Sequence, residues 1–272
     1  AITVNPINDA PTFDNLLSTY SVAENQTAIT TVGGSDVDED TFTISLSGTD
    51  ATSLNLSSTN VLTFIEAPDY ETKNSYAITL SITDATETTS KDITVLITNV
   101  NDIAPEFTSS ATFSADENQT AIGTVTATDA EDDEVTFSVS GSELAITPAG
   151  ILTFVAAPDY ETKSSYSATV TASDGVNNST QDISVTINNL NDNSPEFSSS
   201  ATFSAAENQT AIGAATATDA DGDTLTYSIS GSAITINSSS GVIAFTSAPD
   251  YETQTSYTAT ISASDGVNTT TQ

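Results

Sequence analysis

The chain has 272 residues, of which 37 are acidic and 3 are basic, and its net charge is −34. Such a charge argues against nucleic acid or an anionic membrane as a partner and indicates a need for cations. The sequence contains no Cys and no His, which removes disulfides, most nucleophile–base pairs and most zinc, copper and iron sites. No apolar run is long enough to cross a membrane. Two interpretations of the acidic residues remain. The carboxylates bind hard cations, or, more simply, they keep the chain soluble in a salty medium.

Segments of alternating apolar and polar residues occur along the chain, among them residues 41–46, 76–80, 93–97 and 135–139. A period of two in Thr- and Val-rich runs predicts half-buried antiparallel strands, and no segment shows the period of a helix. About seven such strands in ~90 residues are typical of a two-sheet Greek-key sandwich. The sequence therefore predicts an all-β fold of immunoglobulin-like sandwiches.

Three motifs recur and divide the chain into repeats. Pro-Asp-Tyr-Glu begins at Pro68, Pro158 and Pro249; Glu-Asn-Gln-Thr begins at Glu24, Glu117 and Glu207; Asn-Asp begins at Asn8, Asn101 and Asn191. We predict three tandem repeats in an extended array: repeat 1 at residues 10–100, repeat 2 at 101–190 and repeat 3 at 191–272. Residues 1–9 correspond to the last strand and linker of a preceding repeat, and repeat 3 is expected to stop before its own last strand.

The acidic residues gather at strand ends and in loops at fixed spacing. In every repeat, an Asp lies 12 positions after the Glu of Glu-Asn-Gln-Thr; it is Asp36, Asp129 or Asp219. Carboxylates held close together repel one another, and loops that concentrate them are held together by a bound cation. Calcium takes six to eight oxygen ligands from carboxylates, amides and backbone carbonyls, so the sequence predicts Ca²⁺ binding.

Five motifs in order resemble the cadherin repeat: Glu-Asn, Asp-x-Asp, Asp-Tyr-Glu, Ser-Asp-Gly and Asn-Asp-Asn-x-Pro-x-Phe. The resemblance covers essentially the whole chain, and the tracts at residues 4–11 and 217–223 look like the cadherin-like repeats of large bacterial or archaeal surface proteins. It implies an extracellular location at the cell surface and calcium at the junctions between successive repeats. Three equivalent copies also favour a structural role over an enzyme, such as a glycosidase with paired carboxylates.

The resemblance implies one set of calcium ligands at each of two junctions. At the first junction they are Glu24, Asp69, Glu71, Asn101, Asp102, Asp129, Glu131 and Asp174, with the backbone carbonyls of Val100 and Ile103. At the second they are Glu117, Asp159, Glu161, Asn191, Asp192, Asn193, Asp219, Asp221 and Asp265. The chain departs from the family pattern at Asn99, Asn189, Glu131 and Ala85. These departures lower the expected number of ions at a junction from three to two.

A third junction is expected where copies of the repeat meet head to tail, by chain continuity or by strand addition of residues 1–5 to repeat 3. Its ligands would be Asn8, Asp9, Asp36, Asp38 and Asp84 at one end and Glu207, Asp250 and Glu252 at the other. The sequence leaves open whether Asp40, Asp133 and Asp223 add an oxygen to the junctions. It argues against an EF-hand loop, because Thr224 and Ser230 occupy the positions that would need Gly and Glu.

These features predict a calcium-rigidified structural segment of an extracellular adhesin or filament. The expected partners are further copies of the repeat, arranged head to tail, and a cell-surface or matrix component. The alternative is an adhesive module that binds a partner surface, either homophilically or through carbohydrate. Carbohydrate binding would need exposed aromatic platforms, and the absence of Trp excludes the Trp-anchored strand exchange of vertebrate cadherins.

Overall fold

A computed structural model describes residues 2–3 and 7–272 of the chain. These residues belong to two compact units. Unit one runs to Glu106 and includes the loop segments Thr128–Val135 and Ser173–Ser179; unit two comprises Phe107–Ala127, Thr136–Ala172 and Thr180–Gln272. Over the described ranges the regular structure consists of strands and one 3-10 turn at Ala51–Ser53, with no α-helix.

The strands of unit one form the first sandwich. They are β1 (Thr12–Asp14), β2 (Thr19–Ala23), β3 (Ala28–Thr31), β4 (Gly33–Ser35), β5 (Thr43–Ser47), β6 (Leu54–Leu56), β7 (Val61–Phe64), β8 (Ser75–Thr83) and β9 (Thr88–Thr98). One sheet has the order β2-β9-β8-β5, another has the order β3-β7-β6, and β1 pairs with β4. Strand β2 runs parallel to β9, with Tyr20 opposite Val95 and Val22 opposite Ile97.

The core of the first sandwich follows from the alternation in the sequence. Ile93, Val95 and Ile97 on β9 are buried, while the residues between them are exposed. They pack with Leu62 of β7 and Leu80 of β8, both of which have no exposed surface. Complete burial of an aliphatic side chain of this size stabilises a fold by roughly 1.5–3 kcal/mol. The alternation predicted for residues 93–97 is therefore that of a strand with one face in the core.

The second sandwich repeats this arrangement. Its strands are β10 (Glu106–Phe107), β11 (Thr112–Asp116), β12 (Ala121–Thr124), β13 (Ala127–Thr128), β14 (Thr136–Val139), β15 (Leu144–Ile146), β16 (Ile151–Phe154), β17 (Ser165–Ser173) and β18 (Asn178–Asn188). The sheet orders are β11-β18-β17-β14 and β12-β16-β15, with β10 beside β13. Strand β11 runs parallel to β18, with Phe113 opposite Val185 and Ala115 opposite Ile187.

The third sandwich is smaller. Its strands are β19 (Glu196–Phe197), β20 (Ala211–Ala214), β21 (Ala217–Thr218), β22 (Thr226–Ile229), β23 (Ile234–Ile236), β24 (Val242–Phe245), β25 (Ile261–Ser264) and β26 (Thr269–Thr271). Residues 202–206 and 256–260, which align with β2 and with the first part of β8, are not in strands. Its buried core cluster is reduced to three residues, Ala215, Ile243 and Ile261.

The predicted fold class, an all-β fold of tandem sandwiches, is confirmed. The repeat boundaries at residues 10, 101 and 191 stay predictions. The sequence assigns residues 1–9 to the last strand and linker of a preceding repeat, and residues 1 and 4–6 of that segment lie outside the described residues. Among the residues that the structure covers, no helix is long and apolar enough to span a bilayer.

Candidate metal centre

Glu24 is a buried carboxylate at the end of strand β2. Its side chain is 2% exposed. Its Oε2 accepts a hydrogen bond from the backbone N–H of Tyr70 at 2.7 Å, and its Oε1 accepts one from the backbone N–H of Val100 at 2.7 Å. A buried charge needs such compensation. One carboxylate therefore joins the Pro-Asp-Tyr-Glu turn to the segment that follows β9.

Glu117 repeats this arrangement in unit two. It is also 2% exposed, and it accepts hydrogen bonds from the backbone N–H groups of Tyr160 at 2.7 Å and Leu190 at 2.8 Å. Glu207, in contrast, is exposed and accepts one backbone hydrogen bond, from Tyr251 at 3.0 Å. The Glu of this motif therefore accepts two backbone hydrogen bonds in the first and second repeats and one in the third.

Four acidic side chains meet in unit one around Glu24. Glu24, Glu71, Asp102 and Glu131, which we call cluster one, each offer an oxygen, and these oxygens all lie within 4.8 Å of one another. Glu131 also accepts hydrogen bonds from the backbone N–H groups of Asp102 and Ile103, each at 3.0 Å to Oε2. The cluster therefore contains an acid from the β2 end, one from the turn after Pro68, one from the linker and one from the loop at Thr128–Val135.

The equivalent group in unit two consists of Glu117, Glu161, Asp192 and Asp221, which we call cluster two, with the same 4.8 Å limit between oxygens. Asp221 Oδ2 accepts hydrogen bonds from the backbone N–H groups of Asp192 at 3.1 Å and Asn193 at 2.8 Å. Glu131 in cluster one and Asp221 in cluster two thus have the same role. The replacement of Asp by Glu at position 131 leaves this contact to the linker intact.

The electrostatics of both clusters favour a bound cation. The pKa of Glu71 lies above its ordinary value, because neighbouring atoms remove hydration from the carboxylate and because Glu24 and Glu131 are negatively charged. The pKa of Glu161 is raised for the same reasons, with Glu117 and Asp221 as the charged neighbours. For Asp221, loss of hydration opposes ionisation, but hydrogen bonds led by those from Asn193 outweigh it and lower the pKa.

Buried carboxylate oxygens beside the clusters have no hydrogen-bond partner. In the described part of the chain these include Asp129 Oδ2, Asp219 Oδ2 and Asp265 Oδ2. Asp129 lies with Glu131 and Asp133 in one group of acidic oxygens, and Asp219 lies with Asp221 and Asp223 in another. Buried polar atoms are rarely left without a partner, so these orphaned oxygens are open to a hard cation. An all-oxygen donor set of this kind fits Ca²⁺.

Other predicted ligands lie nearby but have protein partners. Asp69 accepts hydrogen bonds from the backbone N–H of Glu71 at 3.0 Å and from Thr72 Oγ1 at 2.9 Å. Asp159 and Asp250 likewise each accept a hydrogen bond from the Thr hydroxyl three residues later in the chain. These three carboxylates therefore cap the turn, and their predicted role as calcium ligands stays a prediction, as does that of the Val100 and Ile103 carbonyls.

The Asp-Gly loops contact the linkers through an asparagine. Asn177 Nδ2 donates to Asn101 Oδ1 at 2.6 Å and to Asp174 Oδ2 at 3.3 Å. In unit two, Asn268 Nδ2 donates to Asn191 Oδ1 at 3.1 Å. The structure thus brings the predicted ligands Asn101 and Asn191 beside Asp174 and Asp265 through an amide that the sequence analysis did not single out.

Two further residues were missed from the sequence. Asn25 donates through Nδ2 to Asp102 Oδ2, and Asn118 donates in the same way to Asp192 Oδ2. Both asparagines have a left-handed backbone, with φ of 62° and 64°. Asparagine tolerates this conformation better than most residues, and it turns each side chain towards the linker aspartate. The Asn of the Glu-Asn motif therefore orients a cluster residue.

The residues predicted for a third junction fall into two separate groups. In unit one, Asn8 Nδ2 donates to Asp84 Oδ2 at 2.9 Å, and the backbone N–H of Asp9 donates to Asp38 Oδ2 at 2.7 Å. Hydrogen bonds from the backbone of Glu87, the side chain of Asn8 and the backbone of Thr86 lower the pKa of Asp84 to about 2. Asp36, whose Oδ2 is buried without a partner, accepts from the backbone of Asp38 through Oδ1.

In unit two, the oxygens of Glu207, Asp250 and Glu252 lie within 4.8 Å of one another, and all three residues are exposed. This group matches part of cluster one, since Glu207 and Glu252 correspond to Glu24 and Glu71. It has no linker carboxylate comparable to Asp102 among the described residues. The junction that would unite the two groups stays a prediction.

Comparison with known proteins places this geometry in a familiar fold. No family model matches the chain. A curated relative, the protocadherin-like wing polarity protein stan of Drosophila melanogaster, is 31% identical over 231 residues, which is 73% of this chain and 6% of the relative. The structure of mouse cadherin-23 EC22-24 is similar with a TM-score of 0.79 and 23% identity, covering 97% of this chain and 98% of that one.

The structure of the protocadherin GammaB4 extracellular domain is similar with a TM-score of 0.76 and 25% identity, covering 97% of this chain and 48% of that one. The chain therefore has the fold of tandem cadherin domains. Clusters one and two each take acids from the end of the second strand, from the turn after Pro68 or Pro158, and from the linker that follows the last strand of the sandwich. The chain spans only a small fraction of the curated relative, so that protein's wider role does not transfer to it.

Proposed function

We propose that the chain is a structural segment of an extracellular adhesin or filament whose repeat junctions are made rigid by calcium. The observation that carries the proposal is the geometry of clusters one and two. Each brings four carboxylates within 4.8 Å of one another around a buried glutamate. Four like charges at this separation repel strongly unless a cation lies among them.

The residues of this chain suit calcium better than other common metals. The clusters offer carboxylate and amide oxygens, and the whole sequence has no His or Cys to favour zinc or copper. Magnesium demands near-ideal octahedral geometry and gives up its water reluctantly, whereas calcium accepts six to eight oxygens in irregular arrangements. We therefore assign the orphaned Asp129 and Asp219 oxygens to calcium as well.

Bound calcium would attract each of the clustered carboxylates and so offset their mutual repulsion. The chain itself supplies the mechanical connection. Glu24 fixes the start of the linker through Val100, and Glu131 fixes its next residues through Asp102 and Ile103. With their charges neutralised, these groups hold the linker in one conformation; without calcium, their repulsion loosens it.

The proteins that this chain is similar to support an extracellular setting. The curated relative and the similar structures carry cadherin and protocadherin names. The resemblance of residues 4–11 and 217–223 to bacterial or archaeal surface repeats is carried by the sequence alone and remains part of the proposal. The proposed role includes no catalytic step, and its partners are further copies of the repeat and a cell-surface or matrix component.

The carbohydrate-binding form of the adhesive alternative receives less support. Carbohydrate-binding modules present exposed aromatic rings, whereas the exposed aromatic residues among the described part of the chain are Phe203 and Tyr251. Both border an open groove of the third sandwich. No aromatic platform is repeated in the three sandwiches, so a repeated carbohydrate site is disfavoured.

Small-angle X-ray scattering of the chain with calcium and then with chelator tests the proposal. We expect chelation to broaden the distribution of interatomic distances and change the maximum dimension, because both linkers lose their fixed conformation. The far-UV circular dichroism should stay that of a β protein, since each sandwich has its own core.

A double variant, Asp102→Asn with Asp192→Asn, provides the matched control. It removes one charge from each cluster while leaving the sandwich cores unaltered. In calcium it should give the scattering profile of the chelated chain. An identical profile with and without calcium for the unaltered chain would contradict the proposed role.

A further inference from the structure

The two linkers of the chain differ most at one position. Linker one, residues 99–105, connects β9 to β10, and linker two, residues 189–195, connects β18 to β19. Both contain the Asn-Asp motif, which is followed by Ile103 in linker one and by Asn193 in linker two. Ile103 is exposed, whereas Asn193 is half-buried. The linkers therefore compare an apolar side chain with an amide beside two otherwise similar clusters of carboxylates.

The backbone contacts at this position are the same in both linkers. The N–H groups of Ile103 and of the Asp before it donate to Glu131 Oε2, each at 3.0 Å. The N–H groups of Asn193 and of the Asp before it donate to Asp221 Oδ2, at 2.8 Å and 3.1 Å respectively. A difference in order between the linkers must therefore come from other contacts.

The side chain of Asn193 supplies such contacts. Its Nδ2 donates to Glu161 Oε2 at 3.2 Å, to Asp192 Oδ1 at 3.0 Å and to Asp221 Oδ1 at 2.9 Å. Ionised carboxylates accept hydrogen bonds but cannot donate them, so the amide group that faces them is the NH₂. One amide thus joins three of the four acids of cluster two. Ile103 has no polar side-chain atom with which to do this in cluster one.

The backbone carbonyl of Asn193 is held as well. It accepts a hydrogen bond from Asn268 Nδ2 at 3.1 Å. In unit one the matching amide, Asn177 Nδ2, donates to the backbone carbonyl of Asn101 at 3.4 Å instead. Asn193 is therefore fixed through its N–H, its carbonyl and its side chain. Among the described residues, Ile103 makes a hydrogen bond through its N–H alone.

These hydrogen bonds reduce the repulsion within cluster two. The N–H groups of the Asn193 amide carry partial positive charge and lie among carboxylates that otherwise repel one another. Hydrogen bonds to ionised acceptors are roughly twice as strong as those between neutral groups. In the described part of cluster one, the side-chain donor is Asn25, which contacts Asp102, and cluster two has the matching contact of Asn118 with Asp192 in addition. Cluster one therefore depends more strongly on a cation.

We propose that Asn193 is a positioning residue that keeps linker two ordered without a cation, which makes linker one the joint that responds to calcium. The response of linker one rests on the proposed function. The order of linker two in chelator follows from the hydrogen bonds of Asn193 and is independent of calcium binding. Loss of calcium then loosens the two junctions unequally, and linker one loses its fixed conformation to the greater extent.

Hydrogen exchange of the whole chain, resolved by NMR, tests the proposal at the matched backbone N–H groups of Asp102, Ile103, Asp192 and Asn193. In chelator, the pair in linker two should have protection factors at least about tenfold larger than the pair in linker one. Calcium should raise the protection of linker one and bring the pairs closer together. Equal protection in chelator would overturn the inference about Asn193. No gain in linker one with calcium would instead contradict the proposed function and the response assigned to that linker.

The Asn193→Asp variant tests the amide itself, because it keeps the shape of the side chain and replaces the donor with a further carboxylate. In chelator, the protection of linker two should fall about tenfold, to that of linker one. Calcium should restore it, since the cation offsets the added charge. The N–H groups of β18 show in the same experiment that the second sandwich stays folded.

Ser194→Ala is the matched control. It gives linker two the residue that linker one has at Ala104, and it leaves the Asn193 amide in place. Protection in chelator should stay that of the unaltered chain. If Asn193 only fills space, Asn193→Asp will leave the protection of linker two unchanged in chelator, and that result, or an equal loss in Ser194→Ala, would overturn the proposal.

Discussion

The Glu24→Ala variant is expected to bind calcium at cluster one at least about tenfold more weakly than the unaltered chain and to unfold its first sandwich at a lower temperature. Glu24 accepts hydrogen bonds from Tyr70 and Val100 while it is 2% exposed. Its removal leaves two backbone donors without their partner, at a cost of about 1–3 kcal/mol for each donor that stays buried. For a domain of about 100 residues, each kcal/mol lowers the midpoint by roughly 4–8 °C.

The matched control is Glu207→Ala, which alters the same motif in the third repeat. Glu207 is exposed and accepts one backbone hydrogen bond, from Tyr251. Its replacement should change the unfolding midpoint little, because water can solvate the donor that is released. Calorimetric melting of the two variants in chelator, followed by calcium titration, separates the structural effect from the ligand effect. Similar losses of stability in the two variants would contradict the anchoring role of Glu24.

The Asp102→Asn variant should lower calcium affinity at cluster one by about tenfold or more, with little change in stability in chelator. Asp102 lies among Glu24, Glu71 and Glu131, and its carboxylate is held by the Asn25 amide. Asparagine keeps the shape of the side chain but removes one negative charge from the centre of the cluster. Isothermal titration calorimetry with calcium measures the change in affinity.

Asp40→Asn is the control for this variant. The Asp40 carboxylate belongs to none of the groups of closely spaced acids among the described residues, although its backbone N–H donates to Asp36. The substitution removes the same charge from the protein but leaves cluster one intact. Equal losses of affinity in the two variants would show that net charge, and not the position of Asp102, determines calcium binding.

The fold was predictable because it depends on local periodicity. Alternation over residues 93–97 predicts a strand with one buried face, and burial of Ile93, Val95 and Ile97 follows that pattern. The repeated motifs likewise predict three similar sandwiches. The parallel pairing of β2 with β9 was not predictable in this way, since it joins segments more than 70 residues apart.

The sequence predicted which residues form the candidate site better than it predicted the hydrogen bonds that those residues make. Glu24, Glu71, Asp102 and Glu131 were all expected as ligands and meet in one cluster. The two backbone hydrogen bonds of Glu24 depend on how the turn and linker pack around it, which spacing alone does not reveal. Asp69 illustrates the opposite case, because an Asp followed three residues later by Thr72 is a local capping pattern that could have been recognised.

Asn25 was overlooked for a different reason. It begins an Asn-x-Thr sequence, a pattern that is associated with glycosylation and does not indicate contact with a carboxylate. The available signal was an asparagine two residues after the end of β2, at a position where the chain reverses and a left-handed backbone is favoured. The contact with Asp102 itself, across 77 residues of chain, could be found only in the folded protein.

The most direct test of the account is isothermal titration calorimetry of the metal-free chain with calcium. We predict saturable binding of at least one ion to each of clusters one and two, with dissociation constants of about 10⁻³ M or tighter, the range of extracellular calcium modules. Magnesium at the same concentration should bind much more weakly. Calcium would be added to several times the expected dissociation constant of about 10⁻³ M. If the measured heats then do not exceed the heats of dilution, the assignment of both clusters as calcium sites is contradicted.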